Sequence, residues 1–291
     1  MEHVLLKARA KINIALDVLG KRADGYHDLR MIMQSVALHD LVFMKKTPQD
    51  GIVLHTNHSW LPVNEKNLVY RAVARLKERY DIRSGVYVDL QKAIPVSAGL
   101  AGGSTDCAAA LIGMRMLFKL PISTEELMDI GAGLGADVPY CIMRGTALAE
   151  GLGERLKRLP PHPMVYVLLT RPPFYVSTAQ VFQRFQMDRA ESRPDVDGIV
   201  QALEAGDVKA VADRFCNVLE TVTIPDYPVI AQVKDTMREA GCLGTLMSGS
   251  GPTVFAYFDR RDQALSARRL LRQQIPQVKE TYLTTIFNPG P

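Results

Sequence analysis

The feature that most constrains the fold is a glycine-rich loop that runs directly into an alanine-rich helix. The loop reads PVSAGLAGGSTD over residues 95–106, and CAAAL follows over residues 107–111. Its glycines allow tight turns, so that successive backbone N–H groups can point into one concavity. A helix that begins at Ser104 or Thr105 would add unpaired amides and the positive end of its dipole. The segment therefore predicts a phosphate-binding loop at the start of a helix.

Two common phosphate-binding patterns do not fit this segment. It is not a Walker A loop, because no GK[ST] follows and the loop contains no lysine. It also lacks GxGxxG in a dinucleotide-binding context. By itself the segment also fits an ordinary strand-to-helix turn with Ser104 or Thr105 as the N-cap.

A second segment lies near the amino terminus, where residues 4–18 alternate with the period of a strand. Lys11 and Asn13 fall on the same face of this strand, so both could reach one site. The turn signal Asp24-Gly25 would then present Tyr26 and His27 just after the bend. Considered one at a time, these residues have simpler explanations. Lys11 could be an exposed lysine on a strand, and His27 could be a loop histidine whose hydrogen bonds are satisfied.

A third segment, GTLMSGSGPTVFA over residues 244–256, is a loop of small residues that enters a strand. Such a loop could close over a ligand. It also fits a plain helix-to-strand connection.

Strand-like and helix-like pieces are mixed in both halves of the chain, which predicts an α+β fold with antiparallel pairing instead of a doubly wound parallel sheet. Ser123 and Glu126 form a capping-box pattern at the start of one helix. Glycines and prolines between residues 151 and 163 indicate a boundary, so we expect domains at 1–155 and 156–291. We expect strands at 4–18, 30–46, 51–56, 85–91, 164–170, 253–258 and 279–286, and helices at 67–80, 105–118, 124–134, 178–187, 196–205, 207–220, 228–240 and 261–274.

Composition excludes several classes of protein. With 47% hydrophobic and 23% charged residues, the 291-residue chain can bury a full core. The net charge of +4 is spread along the chain, so no nucleic-acid partner is expected. No apolar run approaches a membrane span and no secretory signal is seen, which predicts a cytoplasmic protein without a membrane partner. The four cysteines show no metal-ligand or CxxC spacing, so no metal site is predicted among them.

In this order, the three segments resemble the signature motifs of the GHMP kinase superfamily. AKIN, ADGYHDL, GLAGGSTD and GADVPYC are similar to the branch that acts on a cytidine diphosphate sugar-alcohol in the non-mevalonate pathway to isoprenoid precursors. The resemblance covers nearly the whole chain. It implies a ribosomal-protein-S5-like amino-terminal α/β domain, a smaller carboxy-terminal α/β domain and an active site in the cleft between them. It also implies ATP and Mg²⁺ as cofactors and a monomer or weak homodimer.

The resemblance assigns roles to individual residues. Asp137 resembles the catalytic base, although alone it also fits a helix N-cap. Lys11 resembles its basic partner, which would favour the ionised carboxylate from within about 4 Å. Substrate contacts are implied for Asn13, Tyr26, His27, Thr178 and Phe182. ATP contacts are implied for Asn67, Leu68, Pro95, Ser97, Ala98, Gly99, Leu100, Ala101, Gly102, Gly103, Ser104 and Thr105.

The implied reaction moves the γ-phosphoryl group of ATP to a hydroxyl group of a small molecule. Alternatives on the same scaffold are a mevalonate or homoserine kinase, a diphosphomevalonate decarboxylase and a catalytically silent nucleotide-binding module. Tyr26 and His27 favour the cytidine branch, because an aromatic and imidazole pair suits a flat base. The presence of both Lys11 and Asp137 argues against a silent module. Ser97 departs from the family pattern, since relatives often have glycine there, and Thr105 stands where many have serine.

Overall fold

The computed structural model describes residues 2–190 and 192–290. The strands are β1 (His3–Lys21), β2 (His27–Thr47), β3 (Ile52–Thr56), β4 (Gly85–Gln91), β5 (Thr146–Gly151), β6 (Arg155–Arg158), β7 (Tyr166–Arg171), β8 (Cys216–Asn217), β9 (Gly244–Met247), β10 (Val254–Phe258) and β11 (Glu280–Thr285). The helices are α1 (Leu68–Arg79), α2 (Gly102–Phe118), α3 (Thr124–Ala132), α4 (Val138–Met143), α5 (Thr178–Arg184), α6 (Val196–Glu204), α7 (Val208–Asp213), α8 (Glu220–Asp226), α9 (Val229–Glu239) and α10 (Arg261–Gln274).

The described residues divide into two compact units, each made of separate stretches of chain. The first unit contains those of Met1–Ala10, Leu38–Val96 and Ala101–Met143. The second contains those of Lys11–Ala37, Ser97–Leu100 and Arg144–Pro291. The division falls inside β1 and β2. The predicted domains 1–155 and 156–291 therefore stay a prediction.

In the first unit, the second half of β2 pairs antiparallel with β4, and β3 pairs parallel with β4. Four helices, α1 to α4, belong to the same unit. Helix α2 is apolar nearly all round, and its small residues Cys107, Ala108, Ala109 and Ala110 are fully buried. Small side chains let neighbouring elements approach closely, so α2 is held rigidly along its length.

In the second unit, the first half of β2 pairs antiparallel with β5, which pairs with β6. A separate antiparallel sheet has the strand order β11-β7-β10-β9. All five residues of β10 are buried, and helices α9 and α10 pack beside this strand. The sheet therefore forms the centre of a carboxy-terminal core.

These elements confirm the predicted α+β class with antiparallel pairing. The helix predicted at 207–220 is wrong, because α7 ends at Asp213 and Cys216 and Asn217 pair with β1 before α8 begins. Helix α2 begins at Gly102, earlier than predicted, since the N–H of Thr105 already donates to the carbonyl of Ala101 at 2.9 Å. Strands β6 and β9 and helix α4 were not predicted, because they are short and carry no clear periodicity.

His162 is a buried titratable group in the core of the second unit. Its side chain is 1% exposed, and its ring meets that of Tyr257 edge-on at a centroid distance of 5.3 Å. Its Nδ1 lies 2.7 Å from the carbonyl oxygen of Pro163, so Nδ1–H donates to that oxygen. Burial disfavours the charged ring and lowers the pKa of His162 to about 4.

We therefore expect His162 to make the fold sensitive to acid. The unfolded chain takes up a proton near the usual histidine pKa of about 6.5, whereas the native state resists protonation to about 4, so stability falls as pH drops through this window. The loss should approach about 3 kcal/mol. Urea unfolding at a series of pH values measures it. His162→Asn keeps a donor for Pro163 and should flatten this slope, whereas an unchanged slope would contradict the assignment.

Candidate active site

The predicted site residues fall into both compact units. The first unit holds Asn67, Leu68, Pro95, Ala101, Gly102, Gly103, Ser104, Thr105 and Asp137. The second holds Lys11, Asn13, Tyr26, His27, Ser97, Ala98, Gly99, Leu100, Thr178 and Phe182. Each group has its own geometry.

In the phosphate loop (residues 95–106), every second residue from 97 to 101 has a left-handed backbone conformation. Ser97, Gly99 and Ala101 have φ angles of 54°, 77° and 56°. Side chains other than glycine pay a cost there, so the backbone is strained at Ser97 and Ala101. Alternating right- and left-handed residues turn successive N–H groups to one side, which is the geometry of an anion-binding nest.

Four residues of the second unit meet around the carbonyl of Gly99. The ammonium of Lys11 donates to Asn13 Oδ1 at 2.8 Å and approaches the Gly99 oxygen at 3.4 Å. The hydroxyl of Ser248 donates to the same oxygen at 2.9 Å, and the N–H of Asn13 donates to Ser248 Oγ at 3.3 Å. Residues from the three sequence segments therefore share one hydrogen-bonded cluster, with Lys11 and Asn13 both buried.

The period-two pattern of β1 does not separate a buried face from an exposed one. Lys11 is 5% exposed and Asn13 is 1% exposed, although both lie on the strand face predicted to be polar. A buried lysine or amide is costly unless it is hydrogen-bonded. Lys11 donates to Gly99 and to Asn13 Oδ1, and Asn13 Nδ2 donates to the sulfur of Met31 at 3.5 Å. These hydrogen bonds allow the face to be buried.

Asn217 and Glu220 support the loop of the third segment, and sequence analysis missed both. The amide of Asn217 donates to the carbonyls of Met247 and Gly249, each at 2.8 Å. Glu220 Oε1 accepts the N–H of Met247 at 2.8 Å, and Oε2 pairs with an ammonium group on α9. In the sequence these two residues lie three positions apart in CNVLE, within the helix expected at 207–220. That expected helix hid their role as supports of a loop.

On the predicted cytosine side, the ring of His27 stacks on that of Phe182 at 5.4 Å with an angle of 27° between the planes. Partial burial lowers the pKa of His27, and the charge of Lys21 lowers it further. The neutral ring that results is suited to stacking. Tyr26, the residue before His27, is 64% exposed, and its role in substrate binding stays a prediction. Thr178 lies at the start of α5, where its Oγ1 is 2.7 Å from the hydroxyl oxygen of Ser250.

In the first unit, the predicted adenine contacts lie at a cavity with a volume of about 170 Å³. Asn67 is the N-cap of α1, where its Oδ1 accepts the N–H of Val69 at 2.9 Å. A Cβ on Gly103 would lie 3.8 Å from the side chain of Leu68, so α2 and α1 approach closely here. The cavity is lined by Leu61, Pro62, Lys66, Asn67, Leu68, Leu90, Lys92, Val96, Gly103 and Asp106.

Lys92 and Asp106 were absent from the predicted site, and both are buried with Asp40 in one ion cluster. The Lys92 ammonium contacts Asp40 Oδ2 and lies 2.6 Å from Asp106 Oδ2. Burial raises the pKa of Asp106 well above its usual value, and the charge of Lys92 opposes this. Burial lowers the pKa of Lys92, but the carboxylates of Asp106 and Asp40 raise it by more, so the pKa of Lys92 lies above its usual value.

Asp137 stands immediately before α4, and its carbonyl accepts the N–H of Cys141 at 3.0 Å. Its side chain is half-buried. A Cβ on the nearby Gly135 would lie 3.9 Å from Ser104 Oγ, so the segment before Asp137 runs beside the first turn of α2. The segment that leads into Asp137 therefore lies beside the start of α2, and the role of Asp137 as the base stays a prediction. The predicted approach of Lys11 to Asp137 stays a prediction.

The thiols of Cys107 and Cys216 are poorly suited to act as nucleophiles. Burial raises the pKa of Cys107 to about 12 and that of Cys216 to about 11, so their thiolates are disfavoured at neutral pH. None of the helices that the structure describes has the length and apolar character needed to span a bilayer.

Gly99→Ala tests the geometry of the phosphate loop. A Cβ at this position would overlap the carbonyl oxygen of Ser248, and the left-handed φ adds strain. We expect kcat/KM for ATP to fall on the order of 10²-fold, the usual consequence of misplacing a binding group by about 1 Å. Steady-state kinetics with a thermal melt measure this. Gly241→Ala is the matched control, because Gly241 has φ 78° with open space around it. Equal losses in both variants would contradict the prediction.

The comparisons with known proteins agree on one family. The model of the GHMP kinase N-terminal domain matches residues 67–145, and that of the GHMP kinase C-terminal domain matches residues 199–277. The 4-diphosphocytidyl-2-C-methyl-D-erythritol kinase of Lachnospira eligens is 50% identical over 289 residues, which is 99% of this chain and 100% of the relative.

Solved structures give the same result. A crystal structure of 4-(cytidine 5'-diphospho)-2C-methyl-D-erythritol kinase has a TM-score of 0.84 and 31% identity, covering 98% of this chain and 100% of its own. A homoserine kinase from Cytophaga hutchinsonii has a TM-score of 0.79 at 19% identity over 99% of this chain and 95% of its own, a likeness of fold alone. The chain therefore belongs to the GHMP kinases and, within them, to the family of 4-diphosphocytidyl-2-C-methyl-D-erythritol kinases.

Proposed function

We propose that the protein transfers the γ-phosphoryl group of ATP to the 2-hydroxyl of 4-diphosphocytidyl-2-C-methyl-D-erythritol, in the non-mevalonate pathway to isoprenoid precursors. The observation that carries the proposal is the cluster around the Gly99 carbonyl, where Lys11, Asn13 and Ser248 converge from distant parts of the sequence. It supports a phosphate loop fixed against a buried ammonium. The choice of acceptor is supported by relatives that are named 4-diphosphocytidyl-2-C-methyl-D-erythritol kinase and match this chain over nearly its whole length.

Phosphoryl transfer depends on positioning and charge stabilisation more than on covalent chemistry. The phosphate loop would hold the β- and γ-phosphates through its backbone N–H groups and the start of α2. Asp137 would accept the proton of the attacking hydroxyl. Lys11, whose ammonium is fixed by Asn13, would stabilise negative charge as it develops on the transferred group.

The base of the acceptor would bind beside His27 and Phe182. Their stacked rings and the exposed ring of Tyr26 offer flat surfaces of the kind that bind a pyrimidine. Thr178 would line the same side, since its hydroxyl is fixed by Ser250. The adenine of ATP would occupy the cavity beside Asn67 and Leu68.

Mg²⁺ would offset the charge of the ATP phosphates when bound. This ion usually takes one or two protein carboxylates and completes its shell with water and substrate phosphates. Within residues 2–190 and 192–290, no group of three or more His, Cys, Asp or Glu side chains could hold a metal ion. We propose that the ATP phosphates would provide most of the ligands of this ion.

The deciding experiment is ADP release from ATP and Mg²⁺, with 4-diphosphocytidyl-2-C-methyl-D-erythritol, mevalonate and homoserine as separate acceptors. We expect turnover with the cytidine compound alone. Turnover with another acceptor would keep the phosphate loop and discard the pyrimidine site. Release of carbon dioxide from diphosphomevalonate would reveal a decarboxylase. ATP binding without turnover on any acceptor would favour a silent binding module.

The pyrimidine site makes a separate prediction. His27→Ala removes one ring of the stack on Phe182, and aromatic pairs contribute about 0.5–1.5 kcal/mol beyond burial. We expect KM for the cytidine acceptor to rise about tenfold, while the affinity for ATP stays unchanged. His55→Ala is the control, because this exposed histidine lies over Tyr87 at 5.8 Å in the other unit. An equal loss of ATP affinity in His27→Ala would refute the pyrimidine contact.

A further inference from the structure

Asp40 lies in β2 beside the end of β4, and its side chain is fully buried. Its Oδ1 accepts the backbone N–H of Ala93 at 2.5 Å and that of Ile94 at 2.7 Å. Its Oδ2 accepts a hydrogen bond from the ammonium of Lys92. One carboxylate therefore fixes three consecutive residues that lead from β4 toward the phosphate loop.

Lys92 connects this anchor to the far end of the loop. Its ammonium also donates to Asp106 in the first turns of α2 at 2.6 Å. A Cβ on Gly102, the first residue of α2, would lie 3.2 Å from the same nitrogen. The segments that enter and leave the phosphate loop are thus both held through Lys92, and Lys92 is held by Asp40.

The cluster is also part of the cavity wall. Lys92 and Asp106 line the cavity together with Asn67, Leu68 and Gly103. Two carboxylates and one ammonium are a costly set of groups to bury, and an apolar set of similar volume often stabilises a fold as well or better. A contribution to stability alone is therefore a weak explanation for the presence of this cluster. Its position in the cavity wall indicates a role in ligand binding.

We propose that Asp40 is a positioning residue for ATP binding, because it fixes Lys92 and the two flanks of the phosphate loop in the geometry that the nucleotide cavity requires. The inference rests on the proposed function only in that ATP is the nucleotide. Asp40 itself contacts no ligand in this scheme, since it acts through Lys92, Ala93 and Ile94.

Asp40→Asn in the full-length protein tests the inference. The amide oxygen can still accept the N–H groups of Ala93 and Ile94, and Lys92 keeps its contact with Asp106, so the variant should fold. We expect the Kd for ATP, measured by calorimetry without acceptor, to rise on the order of tenfold as Lys92 loses its fixed position. Turnover at saturating ATP and KM for the acceptor should stay within about twofold of the unsubstituted protein.

Two further variants separate positioning from plain stabilisation. Asp40→Ala also removes the acceptor for the two backbone N–H groups, so its Kd for ATP should rise further, and asparagine should recover part of that loss. Glu280→Gln is the control. It breaks the ion pair between Glu280 and Arg171 in the carboxy-terminal sheet, whose N–O distance is 2.7 Å, and should leave the Kd for ATP unchanged.

The outcomes are distinct. A graded rise in Kd from the unsubstituted protein through asparagine to alanine supports the inference. A lower melting temperature in the Asp40 variants with an unchanged Kd for ATP would overturn it, because the cluster would then serve only the fold. Since the measurement uses ATP without acceptor, failure of the cytidine compound as a substrate would overturn the proposed function and leave this comparison intact.

Discussion

Replacing Asp137 by asparagine is expected to lower turnover by about 10²–10⁴-fold, the usual contribution of a general base. The amide keeps the size and shape of the side chain but accepts no proton from the attacking hydroxyl. Asparagine caps a helix about as well as aspartate, and the backbone contact from Asp137 to Cys141 is kept, so the start of α4 should survive the change. Single-turnover kinetics with saturating ATP and acceptor measure the chemical step.

ATP binding is the internal control for this variant. The groups proposed to hold ATP lie in α2, the phosphate loop and the cavity beside Leu68, so the Kd for ATP should stay within about twofold of the unsubstituted value. Asp129→Asn is the matched control variant, because Asp129 is an exposed aspartate in the preceding helix α3. Near-normal turnover in a folded Asp137→Asn protein would remove Asp137 from the role of base.

Long, regular patterns made most of the fold predictable from sequence. The alternation of β1 and the helical spacing of α1 are both sustained over several turns or strand periods, and both elements lie where expected. Ser123 and Glu126 form the predicted capping box, with each side chain bonded to the other residue's backbone N–H. Short elements such as β8 and β9 escaped prediction because tertiary pairing, more than local preference, defines them.

The site was predictable only where its residues stand in contiguous motifs. Lys11, Asn13 and Gly99 were found because small and polar residues cluster around them in the sequence. Asp40 lies within β2 and Lys92 directly follows β4, 52 positions later, and only the fold brings them together. Asn217 was hidden for the same reason, since its partners Met247 and Gly249 are 30 and 32 positions away.

Lys92→Met should strongly destabilise the protein. It removes the one ammonium between Asp40 and Asp106 and leaves two buried carboxylates facing each other. Removing one partner of a buried ion pair typically costs about 3–5 kcal/mol, a large part of the stability of a normal domain. Urea unfolding at neutral pH measures the loss.

The pH dependence of Lys92→Met identifies the cause of that loss. Burial already raises the pKa of Asp106, and without Lys92 nothing in the cluster opposes it, so the native state binds a proton more readily than the unfolded chain. Stability should therefore recover as pH falls from neutral toward the usual aspartate pKa of about 3.9, the reverse of the trend expected from His162. Asp40→Asn/Lys92→Met removes one of the two facing charges and should be more stable at neutral pH than Lys92→Met alone. The loss of stability in Lys92→Met could instead be the same at every pH and become larger when Asp40→Asn is added. That result would mean that packing of the Lys92 side chain, and not its charge, holds this cluster together.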